Sequence, residues 1–266
     1  MSRVQPRIAF VLGKPVRNGS VFPAVFRHLR RCGVPTRVHL PHEANDLTPP
    51  WLSRSALIVH RGLKPAALDA LADLEWAGSH CCNPVAPTVL VQDRYSLLRR
   101  LDAAGLPVPR STLAMTWPEV LARAQGGAMV VKAVDGSRGR GVGVVRLDAS
   151  EPPIEAPFRG PYIMQEQIAT DGWDRKVYVM GRACRGLLKS WPRRDPRAAQ
   201  PFVPEPLLCD LALAVGQILE LEIYGVDFVA GETEPRIVDV NVFPGFKGVP
   251  GAARLIADHL LRSPDP

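Results

Sequence analysis

The sequence lacks any apolar run that approaches the roughly 20 residues a helix needs to cross a bilayer. Its first residues lead directly into a short strand-like segment, without the apolar stretch and small-residue cleavage site of a secretory signal. Both absences argue against a membrane or secreted protein. The sequence therefore predicts a soluble protein that is located in the cytoplasm and has no membrane partner.

The residue patterns of disulfide frameworks and of zinc sites are also missing. The 5 cysteines form no Cys-x-x-Cys pair and include the adjacent Cys81 and Cys82, which are badly placed to bridge each other. Reduced thiols in the cytosol fit this pattern. Among the 6 histidines only His39 and His42 are closely spaced, and no zinc site is expected. Nor does any Ser-His-Asp or Cys-His arrangement indicate nucleophilic catalysis.

The charge is unbalanced, although the composition is otherwise ordinary for a globular protein. The 266 residues carry a net charge of +7, with a pI near 9.5. The basic excess is spread along the chain and has no aromatic-interleaved motif, so we expect no nucleic-acid partner. One local concentration of basic residues spans 175–197. It is either a solvated basic face or the lining of a site for an anionic ligand.

Three regions differ in their patterns. Residues 1–86 alternate strand-like and helix-like segments, which predicts a small parallel α/β domain. Residues 87–160 hold a helix over about 91–104 and two β-rich stretches joined by a glycine loop. Residues 161–266 begin with a strand near Tyr162. They continue through a Pro-rich loop over 190–206, a helix, a β-hairpin over 224–243 and a closing helix.

The glycine loop spans Asp135 to Gly143 and joins two apolar strands, so it is the tip of a β-hairpin. A dinucleotide fingerprint requires a helix directly after its glycines, and a Walker A loop ends in Gly-Lys-Ser/Thr; neither is present. A glycine hairpin can instead fold over a triphosphate, with its N–H groups facing the phosphate oxygens. A flexible hairpin without a ligand is the alternative. The candidate phosphate contacts are Gly136, Ser137, Gly139, Gly141 and Gly143.

Lys132 lies just before this loop, inside the apolar run Val130–Val134. A lysine in such a run is costly unless an anion accompanies its ammonium group. A phosphate held under the loop would supply that anion. Alternatively, Lys132 lies on the solvent face of an edge strand.

The most specific pattern is acidic and lies near the C-terminus. If the two strands of the hairpin over 224–243 turn near Thr233, Asp227 lies opposite Asp239. Strand alternation then puts Asp227, Asp239 and Asn241 on one face. The same alternation puts four apolar residues on the other face, namely Val226, Phe228, Val238 and Val240. Opposed carboxylates repel unless a cation lies between them, and oxygen ligands favour Mg²⁺, with Mn²⁺ as a substitute. A polar solvent face is the alternative.

Together these parts resemble the ATP-grasp superfamily over about residues 83–262. The resemblance implies an α/β fold, in which a small N-terminal parallel α/β domain precedes a two-part α+β grasp domain that binds ATP and Mg²⁺. It implies that Gln167 and Ile168 present backbone groups to adenine, with Glu166 beside it. It further implies that Asp174 holds the ribose hydroxyls and that Arg94 contacts the phosphates.

Two branches of the superfamily are similar to this sequence. The ribosomal-protein glutamate ligases share the acid–acid–Asn spacing, and the inositol polyphosphate kinases are similar over Asp239–Gly248. The ligase resemblance implies an ATP-dependent carboxylate–amine ligase that acts on an acidic small molecule or peptide. The residues expected to hold this substrate are Lys176, Lys189, Arg194 and Arg197. A small-molecule kinase and a non-catalytic nucleotide or nucleic-acid binder are the alternatives, and a homo-oligomer stays open.

Overall fold

The computed structural model describes residues 8–41, 47–124, 128–134, 144–147, 153–190, 199–230 and 234–262. The helices in these ranges are α1 (Phe22–Arg31), α2 (Pro65–Trp76), α3 (Val85–Gln92), α4 (Arg94–Ala103), α5 (Trp117–Ala124), α6 (Pro206–Leu219) and α7 (Ala252–Leu260). None of the helices described here is long and apolar enough to cross a membrane.

The strands belong to three sheets. The first sheet contains β1 (Ile8–Leu12), β2 (Thr36–His39), β3 (Leu57–Arg61) and β4 (Cys81–Cys82). The second contains β5 (Ser111–Ala114), β6 (Met129–Ala133), β7 (Val144–Leu147) and β8 (Tyr162–Glu166). The third contains β9 (Trp173–Met180), β10 (Ala183–Ser190), β11 (Gln200–Phe202), β12 (Ile223–Val229) and β13 (Arg236–Val242).

The first sheet is parallel, in the order β2-β1-β3-β4. Every residue of β1 is buried, as expected for a central strand that is covered on both faces. One face packs against α1 and α7, where Phe22 and Ile256 join the core, and the other packs against α2 through Leu68 and Leu71. The predicted small parallel α/β unit is therefore confirmed.

The second sheet is antiparallel, in the order β5-β8-β6-β7. Because β6 lies between β8 and β7, the edge-strand alternative for Lys132 is wrong. The strand that begins at Tyr162, which the sequence assigned to the third region, pairs here with β5 and β6. Strand β5 had no predicted counterpart. The mixed α/β class is as expected, but this strand belongs with the residues before the boundary predicted at 160.

The third sheet is antiparallel, in the order β11-β10-β9-β12-β13. The predicted hairpin forms, with Asp227 opposite Asp239, although the turn residues 231–233 lie outside the described part. A β-bulge follows this pair, because Phe228 pairs with Ile237 and Val238 is the extra residue. Consequently Ile237 is buried in the core and Val238 is only half-buried. The prediction that Val238 joins the apolar face is wrong.

The helix predicted over 91–104 is broken in two at Asp93. The Asp93 backbone is extended, and its Oδ1 accepts hydrogen bonds from the amides of Tyr95 at 2.9 Å and Ser96 at 3.0 Å. A carboxylate in this position satisfies amides that the first turn of a helix leaves free. Asp93 therefore ends α3, starts α4 and fixes the position of Arg94. The predicted loop over 190–206 likewise contains strand β11.

Asn83 joins the first sheet to the third. Its side chain is fully buried, its φ is 60°, and its Nδ2 donates to the Ile223 carbonyl at 2.7 Å. Its Oδ1 accepts from the amides of Glu222 at 2.7 Å and Ile223 at 3.0 Å. Its own carbonyl accepts a 2.7 Å bond from His60 Nε2. Burial lowers the pKa of His60, so the ring is the neutral donor of this bond.

Candidate functional site

Five charged side chains converge where the second sheet meets the β12–β13 hairpin. They are Arg94, Lys132, Lys176, Asp227 and Asp239. Arg94 lies in the first turn of α4. Lys132 and Lys176 lie on interior strands of the second and third sheets, and Asp227 and Asp239 lie on the two strands of the hairpin. Three cations thus surround two carboxylates, and this arrangement leaves positive charge available to an anionic ligand.

Lys132 reaches across from the second sheet. Its Nζ donates a 3.2 Å hydrogen bond to the backbone carbonyl of Val238, the extra residue of the bulge. Burial lowers the pKa of Lys132 to about 8, and the carboxylates of Asp239 and Asp227 offset only part of that effect. A desolvated ammonium group with a neutral hydrogen-bond acceptor is suited to pairing with a phosphate.

Lys176 and Asp227 form an ion pair across neighbouring strands. They are register partners in the β9–β12 ladder, and the Lys176 ammonium donates to both carboxylate oxygens of Asp227. Burial alone disfavours the charged lysine, but the Asp227 carboxylate outweighs this effect and raises the pKa of Lys176. Lys176 was predicted to hold an acidic substrate; in this structure it neutralises a predicted metal ligand.

Asp239 is less well neutralised than Asp227. The nearest guanidinium nitrogen, Nη2 of Arg94, lies 3.6 Å from its Oδ2. Burial raises the pKa of Asp239; the positive charge of Arg94 opposes this shift and the facing Asp227 carboxylate adds to it. Arg94 also donates from its backbone amide to the Val134 carbonyl at 3.1 Å, which holds it against the end of β6.

These oxygen donors fit a divalent cation. Asp227 and Asp239 face each other across the hairpin, and Asn241 lies two residues further along the same strand. Burial and the facing Asp227 carboxylate raise the pKa of Asp239, and the charge of a bound Mg²⁺ would oppose this shift. The donor set consists of oxygens alone, as Mg²⁺ prefers. The predicted metal residues are therefore brought together.

The predicted adenine segment continues from strand β8. Glu166 accepts hydrogen bonds of 2.9 Å at one oxygen from the Arg110 amide and at the other from Arg110 Nε. Partial burial raises the pKa of Glu166, but these Arg110 bonds dominate and lower it overall. The Gln167 amide donates to the Ala128 carbonyl at 3.3 Å. Of the two backbone polar groups of Gln167, the carbonyl is thus the one left to contact the adenine ring, next to the backbone of Ile168.

Asp174 and Lys189 are directly opposite each other in the β9–β10 ladder. Burial lowers the pKa of Lys132, and the negative charge of Asp174 opposes part of this lowering, so Asp174 lies within electrostatic reach of the charged cluster. The predicted phosphate contacts Gly136, Ser137, Gly139, Gly141 and Gly143 lie outside the described residues. The predicted substrate contacts Arg194 and Arg197 lie outside them too.

Besides the ion pair of Lys176 with Asp227, two features of this site have no counterpart in the sequence-based predictions. Arg110, which holds Glu166, lies just before a strand that was not predicted. The bulge at Val238 was also missed, since Ile237 and Val238 are both apolar and the alternation does not reveal which of them is extra. Neither feature has a local sequence signal, because each depends on a strand pairing.

Comparisons with known proteins connect the chain to ATP-grasp proteins. A family model described as the inositol 1,3,4-trisphosphate 5/6-kinase ATP-grasp domain matches residues 189–262. The ribosomal protein bS6–L-glutamate ligase of Salmonella paratyphi B is 30% identical over 197 residues, which cover 68% of this chain and 65% of that protein. The chain thus spans just under two thirds of the length of the curated relatives it matches.

Solved structures extend the similarity to nearly the whole chain. The ATP-grasp ligase PsnB in complex with a minimal precursor has a TM-score of 0.71 at 22% identity, covering 97% of this chain and 99% of that one. A RimK domain ATP-grasp protein from Sphaerobacter thermophilus has a TM-score of 0.72 at 20% identity, with 96% and 99% covered. The chain therefore has the ATP-grasp fold, and its residues 189–262 match an ATP-grasp domain family.

Proposed function

We propose that the protein is an ATP-dependent ligase that joins a carboxylate to an amine and releases ADP and phosphate. The observation that carries this proposal is the opposed pair Asp227 and Asp239, held beside Lys132 and Arg94. Such a site suits the charge of a metal-bound triphosphate, and this reaction needs no nucleophile from the protein. The names of the curated relatives, which are glutamate ligases, support the same activity.

Asp227, Asp239 and Asn241 would hold Mg²⁺, and Mn²⁺ would substitute for it. The cation supplies charge neutralisation for the phosphate oxygens. Lys132 and Arg94 would bind the phosphates, together with the contacts predicted from the sequence at Gly136, Ser137, Gly139, Gly141 and Gly143. Support comes from a structure of the neighbour PsnB, which is described as a complex with Mg and ADP and has a TM-score of 0.72.

In our proposal the adenine ring lies beside Glu166, Gln167 and Ile168. Arg110 orients the Glu166 carboxylate through its 2.9 Å hydrogen bonds. The Asp174 carboxylate accepts hydrogen bonds from the ribose hydroxyls. This assignment is consistent with the position of Asp174 on β9, within electrostatic reach of Lys132.

The reaction we propose has two steps. An oxygen of the substrate carboxylate attacks the γ-phosphorus of ATP, and the bond to the β-phosphate oxygen breaks, which gives an acyl phosphate and ADP. The amine then attacks the acyl carbon, loses a proton and displaces phosphate, leaving an amide. The substrate is an acidic amino acid or peptide held by Lys189, Arg194 and Arg197. Lys176 neutralises Asp227 until the cation binds.

A kinase that transfers the γ-phosphoryl group to an alcohol is the second candidate. The match of the kinase ATP-grasp model over residues 189–262 favours it. The ligase relatives are similar over 197 residues, however, and we therefore prefer the ligase. The two activities differ in their products, since the ligase forms an amide and free phosphate whereas the kinase forms a phosphate ester and no free phosphate.

The test is a screen of amino acids, acidic peptides and polyols that scores phosphate release together with product mass. A ligase gives phosphate release and an amide with the mass of both substrates minus water. Asp239→Ala is the matched control, because it removes a metal ligand and should abolish turnover. Phosphate esters without phosphate release would establish the kinase. The absence of ATP turnover, together with salt-dependent duplex binding, would reject both enzymes.

We also propose that the protein acts in the cytoplasm. The five cysteines are free in the structure, and Cys81 and Cys82 are buried, which supports a reducing compartment. We propose domains of 1–86, 87–166 and 167–266, with the second boundary moved behind β8 because that strand pairs with β6. Whether the chain forms a homo-oligomer is a matter for light scattering at several concentrations.

A further inference from the structure

The carboxyl ends of β1 and β3 meet at the centre of the first sheet. In the order β2-β1-β3-β4 the connections leave β1 and β3 in opposite directions, which creates a crevice at their carboxyl ends, where open α/β sheets bind ligands. The chain is tightly packed here. Gly13 donates from its amide to the Arg61 carbonyl at 2.9 Å, and a Cβ at position 13 would lie 1.8 Å from the Gly62 carbonyl oxygen.

Arg61, the last residue of β3, directs a half-buried guanidinium into this region. Burial lowers the pKa of Arg61, and no carboxylate among the described residues offsets it. The guanidinium carbon lies 5.7 Å from the centre of the Phe22 ring. Six other arginines in the described ranges have a carboxylate within 4 Å, including Arg94 and Arg175. A desolvated cation without an anion is costly unless a ligand supplies one.

The Arg61 side chain lies against the loop that follows β13, the strand that carries Asp239 and Asn241. A Cβ at position 245 would lie 3.7 Å from Arg61 Nη2, an ordinary contact distance, so the guanidinium lies beside the backbone of this loop. Gly245 lies four residues after Asn241. On either side of it Phe243 and Phe246 have φ values of 41° and 52°, and both rings are buried in the core. The loop that follows β13 is therefore anchored in the core by these two rings and lies beside Arg61.

We propose that Arg61 binds a carboxylate of the amino-acid substrate that does not itself react, an inference that rests on the proposed ligase function. A guanidinium fork pairs with both oxygens of a carboxylate at once. A carboxylate that attacks ATP must keep one oxygen free, whereas the α-carboxylate of an amino acid that supplies its amine takes no part in the reaction. The specificity of the site would therefore require a free α-carboxylate.

The test compares amino acids with their α-carboxamides as probes on the full chain. The shift of the melting midpoint is titrated for each probe at saturating Mg²⁺ and ADP, and dissociation constants are derived from it. We expect at least one amino acid to bind about 10- to 100-fold more tightly than its amide. In Arg61→Met this preference should vanish while the affinity for ADP is unchanged. Arg61→Lys keeps the positive charge but lacks the guanidinium fork, so it should retain only part of the preference for the amino acid over its amide.

Arg37→Met is the matched control, because the Arg37 guanidinium carbon also lies over an aromatic ring, 4.1 Å from the centre of Trp51, but belongs to the edge strand β2 and not to the β1–β3 crevice. It should keep the full preference. Without ligands, Arg61→Met should melt no lower than the wild type, since a cation that only stabilised the fold would lower the midpoint when removed. No preference in the wild type, or a preference that survives in Arg61→Met, overturns the assignment. A preference that is lost, in a protein that never releases phosphate, rejects the ligase and retains the Arg61 site.

Discussion

The ammonium group of Lys132 donates a 3.2 Å hydrogen bond to the backbone carbonyl of Val238, a residue 106 positions away. This carbonyl belongs to the extra residue of the β-bulge beside Asp239. The bond links the interior of the second sheet to the strand that bears Asp239 and Asn241. The bulge thus has two consequences: it buries Ile237 while Asp239 stays in the charged cluster, and it gives Lys132 an acceptor.

Replacing Lys132 should weaken nucleotide binding. Lys132→Met removes a desolvated cation that we assign to the phosphates, and charge-assisted bonds of this kind are worth about 1.5–3 kcal/mol. We expect the dissociation constant for ATP, measured by calorimetric titration with Mg²⁺, to rise by about 10- to 100-fold. The exposed Lys64 gives a control, Lys64→Met, that should bind ATP as the wild type does. Equal affinities of Lys132→Met and the control would remove Lys132 from the site.

The same lysine should make stability depend on pH in the protein without ligand. Burial lowers its pKa from 10.5 to about 8, so between these values the unfolded chain binds more protons than the folded one. Raising the pH through this window therefore stabilises the fold. Relative to Lys132→Met, the wild-type free energy of unfolding should rise by about 3 kcal/mol between pH 7 and pH 10.5. Urea unfolding of both proteins, with a chelator present, measures this difference in the free energy of unfolding. Parallel pH profiles of the two proteins would contradict the prediction.

Much of the candidate site followed from residue patterns alone. The period of two in the stretches around Asp227 and Asp239 was sufficient to predict both the hairpin and the facing carboxylates, and the register agrees. The parallel first sheet followed from the alternation of strands and helices in the same way. Both are local patterns, because each depends on the order of apolar and polar residues within one segment.

The features that were missed depend on contacts between distant segments. The ion pair of Lys176 with Asp227 requires the β9–β12 pairing, and a local pattern cannot specify which strand becomes the neighbour. The assignment of β8 to the second sheet has the same cause. The break at Asp93 differs, since its capping bonds to Tyr95 and Ser96 are local, but the apolar residues on both sides continue a helical pattern through it.

The ion pair of Lys176 with Asp227 should contribute measurably to stability. Both side chains are largely buried, with 13% and 15% of their surface exposed, so removing only the lysine leaves Asp227 uncompensated opposite Asp239. We expect Lys176→Met to lower the free energy of unfolding at pH 7 by about 2–4 kcal/mol, as measured by urea denaturation.

The double variant Lys176→Met/Asp227→Leu supplies the control for this ion pair. It removes both charges and replaces them with apolar groups of similar volume, so it should recover most of the lost stability. If the double variant were as unstable as Lys176→Met alone, the loss would come from packing rather than from an unpaired carboxylate.

Asn83 should be critical for the attachment of the first sheet to the third. Its side chain makes three hydrogen bonds to the backbone of Glu222 and Ile223, and its φ of 60° is a conformation that alanine adopts only with strain. Asn83→Ala should lose the three hydrogen bonds and also strain the backbone, and so lower the free energy of unfolding by about 3–4 kcal/mol. Asn83→Gly loses the bonds but tolerates the backbone angle, so it should cost about 1 kcal/mol less.

Urea denaturation of the two variants side by side separates the loss of the hydrogen bonds from the backbone strain. Equal losses would mean that the backbone angle is unstrained, and a loss below about 1 kcal/mol in both would mean that the buried amide contributes little to joining the sheets.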